Sequence, residues 1–504
     1  MATITIPGSS GQAVTIGSGV NNLASAIGYA LSTIAGGITV TPISASGSVT
    51  SLPGATTTPP STTAELVITG SGSVDASIPS GYKAVGVASS TAPTLTGSNV
   101  AIVAGSVGGV FNVSGNSSVA SLGPSTVTAS GTYDIDVDGG VVFGNGTGTI
   151  NASGSGVVVA NSSGPGTSVS ASGDNVLVVA PVGSSTVNAT GSGDGILGGS
   201  DSLVATLGGA SETLAAGQGG ATVTVSGSSD VVFGNTLGGS QFNVDAQGDA
   251  ATIASFGANA SVTAAGSSDL VFGGSGSSNV AVSGSNATIV GGSGPETVTA
   301  TGDANPLVFG GSGPLAFVGG AGTATLVGAT SGSITLGGGG GVIAPSADSN
   351  LTITGSDGSG GTTLFGSSGS NVTYNVTTTG SSGGLTMVAG TGSETLNGTA
   401  SNANETLFGG SGSDLFLTGG GANSLAFFAA STSIGGGASD TITGFNSNDS
   451  LFLVGYDPSQ SAQSLLNSAV VGSSGVMLTL SDNTKITFSD LTSTSALAGK
   501  ISYT

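Results

Sequence analysis

The sequence predicts an all-β chain: an elongated parallel β-solenoid, or β-roll, of about 18 residues per coil, with a short helical segment near the N-terminus and a β-rich C-terminal cap. Three observations predict it. Glycine supplies 95 of 504 residues, only 6% are charged and the mean hydropathy is +0.38, a profile unlike both charged disordered chains and ordinary globular domains. Short Val/Thr/Ile/Leu/Phe runs alternate with Gly/Ser/Asn turns. Apolar positions then recur in step: Val262, Val280 and Val298 at intervals of 18, and Val271, Ile289 and Leu307 at the same interval nine residues out of phase. A nine-residue unit cannot bury its apolar side alone, but stacked units can. Two units make one coil, successive coils pair in parallel at about 4.8 Å, and roughly twenty coils make a rod on the order of 100 Å long.

The elements follow in order. Residues 1–65 begin with a strand-like run, and 19–37 place Leu23, Ile27, Ala30, Leu31 and Ile34 at helical spacing. Asn21 and Asn22 are candidate N-caps and Gly36 a stop, which predicts a helix over about 20–35. The Pro/Thr/Ser-rich stretch 41–62 reads as a linker. Residues 66–388 read as a degenerate solenoid. Its ladder runs through Val169, Val187 and Val223, crosses a three-residue insertion before Val244, and continues to Phe317 and Leu326. Residues 341–388 are its least regular part. A more regular roll occupies 389–445, and 446–504 form the cap.

Composition narrows function. There is no Cys, His, Trp or Arg, and Lys83, Lys485 and Lys500 face 25 carboxylates, for a net charge of −22. Such a field repels nucleic acid and anionic surfaces. Without His or Cys, serine triads, thiolate sites and the commonest metal ligand are absent. No run approaches a membrane span, and the N-terminus lacks the basic and apolar regions of a cleaved export signal. Asp134, Asp136 and Asp138 alternate along one strand and so share a face. With no His or Arg beside them, they read as a solvated ladder or a cation site, not as catalytic acids.

The run GGSGSDLFL (409–417) matches the pattern G-G-x-G-x-D-x-U-x at every specified position. GGGASDTIT (435–443) departs only at Ala438, while AGTGSETLN (389–397) and GGSGPETVT (291–299) carry Glu394 and Glu296 in the aspartate place. The acid is lost to Ser278 and Ala324 in 273–281 and 319–327. This array resembles the β-roll of RTX (repeats-in-toxin) proteins, with most of its acids replaced. The segments 439–457 and 475–493 resemble the closing region of RTX proteins exported by type I systems.

The resemblance implies a few Ca²⁺ sites, with Glu394, Gly409, Gly410, Gly412, Asp414, Gly435, Gly436 and Asp440 as ligands. Turn glycines at φ > 0 would expose carbonyls, and stacked acids would complete an all-oxygen shell. A turn-capping role is the competing reading for Asp414, and the favoured one for Glu212, Asp230, Asp269 and Asp303. The resemblance also implies uncleaved type I export from a Gram-negative bacterium to the outside or the cell surface.

The expected function is a secreted, non-enzymatic structural protein that self-assembles into a fibre, surface layer or biofilm matrix, with Ca²⁺-assisted folding near the C-terminus. Its partners would be further copies of itself, the type I machinery and possible cell-surface or matrix polysaccharide, with no nucleic acid and no membrane span. The alternatives are an adhesin that binds a glycan or a surface, and a carbohydrate-active β-helix enzyme. Threonine rows repeated in every coil would favour a binding face, but Thr positions do not recur from coil to coil in the sequence. An enzyme of that kind lacks here the Arg or His that such sites use to abstract a proton.

Overall fold

A computed structural model describes residues 2–7, 13–18, 38–56, 63–163, 166–180, 182–235, 240–355, 360–366, 368–369, 371–376, 383–429 and 437–504. The helix expected over 20–35 lies outside them. The chain divides into two compact units, 1–244 and 245–504. Each is a stack of parallel coils about 18 residues apart, so the fold is a β-solenoid.

In the first unit, Thr167–Ala171, Ser185–Ala189, Leu203–Leu207 and Ala221–Val225 pair in parallel as one sheet. Leu177–Ala180, Gly195–Gly198, Thr213–Ala215 and Val231–Phe233 form the other. Strand alternation turns Val169, Val187, Ala205 and Val223 inward as one column and Val178, Ile196, Leu214 and Val232 as a second. Ala205 occupies the step that the valine spacing skips. Burying each such Val, Leu or Ile contributes about 1.5–3 kcal/mol.

The second unit repeats this plan, with Val262, Val280, Val298 and Phe317 in register. The other column runs Val271, Ile289, Val308 and Leu326. Leu307, which the spacing places there, instead pairs with Thr288 and faces outward. One extra residue in the preceding turn accounts for this, since a one-residue slip along a strand exchanges faces.

Three further expectations change. Residues 41–45, within the expected linker, belong to the strand Ile38–Ala45, which pairs in parallel with Thr63–Gly70, so coiling begins before residue 66. The stretch 341–388 is regular in its strands: Ile343, Leu364 and Met387 stack in register although 21 and 23 residues separate them. Its irregularity is one of turn length. Pairing also crosses position 388 unbroken, from Thr362–Phe365 to Leu385–Val388 and on to Glu405–Phe408.

Coils in the first unit are not all equal. Ser125–Val137 and Gly140–Ala152 pair at all thirteen positions only 15 residues apart. Each strand bends round a corner at a glycine of positive φ, Gly131 (+88°) and Gly146 (+153°). Elsewhere the turn glycines have another cause. A Cβ on Gly209 would lie 1.6 Å from the Gly191 carbonyl oxygen, and one on Gly227 1.5 Å from that of Gly209. The turns of adjacent coils touch backbone to backbone, and no side chain fits between them.

At the C-terminal end the pattern changes. Ser439–Thr443 and Ser450–Val454 pair in parallel with Lys485–Phe488 and Ile501–Tyr503. Gly475–Thr479 then runs antiparallel to Lys485–Phe488 and to Val470–Gly472. A six-residue helix, Ala462–Asn467, is capped by Ser461 and buries Leu465 and Leu466. Antiparallel chain thus covers the edge of one sheet that a further coil would otherwise extend.

Gly209→Ala is expected to lower stability by about 1–3 kcal/mol, the usual range for overpacking. Gly338→Ala, where a Cβ meets nothing within 4 Å, should be near neutral. Urea midpoints of the two variants measure the difference.

Candidate functional site: buried acid columns and two outward ladders

The structure brings Glu394, Asp414 and Asp440 into one column, as neighbours in register on three successive strands. They do not face a solvent-lined turn. All three are at most 3% exposed. The Glu394 N–H donates to Asp414 Oδ1 at 3.0 Å, and the Asp414 N–H to Asp440 Oδ1 at 3.0 Å. Each aspartate therefore caps the amide of its equivalent one coil earlier, where a buried N–H needs an acceptor.

The remaining predicted ligands fit the same account. Gly409, Gly410 and Gly412 do not have positive φ, contrary to expectation. A Cβ on Gly410 or Gly412 would meet the Gly390 or Gly392 carbonyl oxygen at 1.8 or 1.5 Å, and one on Gly409 the Phe427 ring at 2.5 Å. Their glycine identity reflects close approach. The Gly390 carbonyl accepts from the Ser411 N–H. Gly435 and Gly436 lie outside the described residues. Among the described residues, no three acids come together as a metal-ligand group. Inward, amide-capping carboxylates with close-stacked turn carbonyls do not fit a Ca²⁺ ion sandwiched between turns.

The same device recurs along both units. Asp194 Oδ1 accepts from Val176 N–H at 2.8 Å, Asp230 Oδ1 from Glu212 N–H at 2.8 Å, and Asp269 Oδ1 from Ala251 N–H at 3.0 Å. Asp230 and Asp269, expected as local turn caps, accept from amides one coil earlier, 18 residues away, whereas Asp303 is exposed. A column on the opposite side, Glu405–Asn423–Asp449, was not anticipated. Asn423 Oδ1 accepts from Glu405 N–H, and Asp449 Oδ1 from Asn423 N–H. A sequence signal for it exists: each of these acids or amides stands two residues before a buried apolar side chain, as in Asp414-x-Phe416, Asp230-x-Val232 and Asp449-x-Leu451. Residues two apart on a strand share a face, so an acid in this place points inward.

Burial dominates the electrostatics of these carboxyls. Desolvation, followed by the charge of Asp230, pushes Glu212 up to about 8. Burial pushes Asp440 up to about 8 and Glu296 to about 7, against partial relief from the Asp414 N–H and from Ser278 respectively. Asp269 rises to about 6 and Asp414 rises as well, both chiefly through burial. The second carboxylate oxygens of Asp194 and Asp440 are buried with no hydrogen-bond partner, a setting that favours a bound proton. Asp136, buried between exposed Asp134 and Asp138, rises to about 6, first from burial and then from its two neighbours.

Outward positions are sorted by sheet. In the first unit, Thr149/Asn151, Ser168/Ser170, Thr186/Asn188, Val204/Thr206 and Thr222/Thr224 stack row on row. The other sheet turns out Leu177/Val179, Gly195/Leu197 and Val231/Phe233. In the second unit, Ser333/Thr335, Thr352/Thr354, Thr373/Asn375 and Thr395/Asn397 form the polar rows. Phe272, Val290, Phe309 and Val327 line the opposite face. Small hydrogen-bonding side chains predominate in these rows, interrupted by Val204 in the first unit and bounded by Ala316/Val318 and Leu415/Leu417 in the second. Unequal turns had hidden this register.

Comparison with protein-family models, with curated proteins and with solved structures found no match. Among the described residues, no helix is long and apolar enough to cross a membrane.

The raised carboxyls set the sign of the pH dependence. Between about 4 and about 8 the folded state holds protons that the unfolded state has released, so stability falls as pH rises through that window. Urea midpoints should therefore be higher at pH 5 than at pH 8. Asp440→Asn keeps the capping oxygen, as Asn423 does naturally, and should raise the midpoint at pH 8 with little change at pH 5. Asp440→Ala should cost about 1 kcal/mol or more at both.

Proposed function

We propose that this chain is a secreted, non-enzymatic structural protein that builds an extracellular layer, fibre or matrix by association of its solenoid with further copies. The observation that carries the reading is the two-faced coil. Hydroxyl- and amide-rich rows occupy one sheet and an uncharged column of Phe and Val the other, while inward acids such as Asp414 and Asp440 cap backbone amides. A chain without His, Cys or Arg lacks the side chains that most often serve as general acid and base toward a substrate. Export by a type I system rests on the C-terminal resemblance alone.

Adhesion to a neutral glycan is the second reading. Rows such as Thr352/Thr354 and Thr373/Asn375 set donors and acceptors at the strand repeat, about 4.8 Å, on an uncharged surface. Saturable binding on an array of neutral glycans, abolished by Thr352→Val together with Thr354→Val, would promote it.

Electron microscopy of the purified protein with and without EDTA tests the leading reading. Ordered assemblies are expected in both samples, with no change in melting temperature on chelation. A monodisperse monomer at all concentrations would sink the structural role. A fall in melting temperature with EDTA would restore the calcium expectation.

A further inference from the structure

The apolar face of the second unit has a pattern that random exposure does not explain. Its outer column, read coil by coil in register, is Phe272, Val290, Phe309, Val327, Ala344, Phe365, Val388 and Phe408. Phe272, Phe309 and Phe365 are 37–41% exposed. Two residues earlier on the same strands, a parallel column carries Leu270, Thr288, Leu307, Thr325, Val342 and Thr363, then Thr386 and Thr406. None of these positions is charged, in a chain of net charge −22.

Large and small residues are ordered so that the column complements itself in reverse. Turn a second copy about a two-fold axis parallel to the strands through Val327. Phe309 then faces Ala344, Phe365 faces Val290, Phe272 faces Val388, and Val327 faces its own copy. No phenylalanine meets another across this overlap of seven coils. In the neighbouring column, Leu307 falls opposite Val342. Two flat sheets stacked face to face at about 10 Å interdigitate their side chains in this way.

The area is small. Seven coils at about 4.8 Å and strands three to four residues long give a footprint of roughly 330–440 Å² per copy. A standard interface covers about 800 Å² per partner, so a concentration-dependent dimer is the expected product.

We propose that the apolar ladder of residues 270–408 is an isologous docking surface for a second copy of this chain, in antiparallel register centred on Val327. The proposal rests on the self-association reading and names the surface and register through which it acts.

Sedimentation velocity and site-directed cross-linking of the full chain test it. The natural sequence has no cysteine, so Val327→Cys and Val388→Cys each introduce one thiol. A short bis-maleimide should link Val327→Cys copies into dimers. It should leave Val388→Cys unlinked, since six coils, about 29 Å, would separate its two copies along the face. Phe309→Asp should shift the dimer to monomer by tenfold or more in Kd, while Thr352→Asp on the other sheet should leave it unchanged.

Equal linking of both cysteine variants, or dimers that survive Phe309→Asp, would overturn this surface while leaving self-association intact. A wild-type chain that sediments as a monomer at every concentration would overturn both. Loss of the dimer in both Asp variants would also overturn the face assignment, and circular dichroism of each variant separates that result from misfolding.

Discussion

One spacing governs the rest of the structure. Parallel coils stack at the repeat of a hydrogen-bonded strand pair, about 4.8 Å, and the turns must stack at that distance too. A side chain between two turn backbones has no room. Gly191, Gly209 and Gly227 answer this constraint in one column, and Gly410 over Gly390 and Gly412 over Gly392 in two others. The abundance of glycine thus arises from contact between coils more than from φ > 0. The interior obeys the same geometry, since close-set sheets admit a single layer of Val, Ile, Leu, Ala and occasional Phe.

The stacking also creates the need that the acids meet. Where a strand begins, its first amide is buried and has no ladder partner, and a carboxylate or amide from the next coil supplies the acceptor. Asp414 on Glu394 and Asp440 on Asp414 form such a series, and Asn423 shows that charge is not required for the role. With few cations available, burial favours the protonated acid. In each of these caps one carboxylate oxygen accepts from the backbone, and in Asp414 and Asp440 the second oxygen is buried without a hydrogen-bond partner.

Unequal turns with regular strands give the solenoid two distinct exteriors. Strand register survives unequal spacing, as between Ile343, Leu364 and Met387, and outward side chains keep their columns. Selection on a column can then act across residues far apart in sequence. The hydroxyl rows and the Phe/Val alternation are both of this kind. A surface built by repetition also complements itself readily, which links the fold to association without any specialised domain.

The sequence by itself determined the β-solenoid, its period and most of its inward apolar residues. Valines at 18-residue intervals and period-two strands admit few other arrangements, and Val262, Val280 and Val298 lie where their spacing put them. It also showed the turn glycines and the acid at 414, but not what either does. Only the tertiary structure decided that Gly410 is glycine because Gly390 lies against it, that Asp440 caps the coil before it, and that Val308 rather than Leu307 faces the core. The physical reason is common to all three. Local period is written in neighbouring residues, whereas contacts between coils depend on the summed length of the intervening turns. A single inserted residue leaves composition almost unchanged and moves a side chain from one face of the sheet to the other.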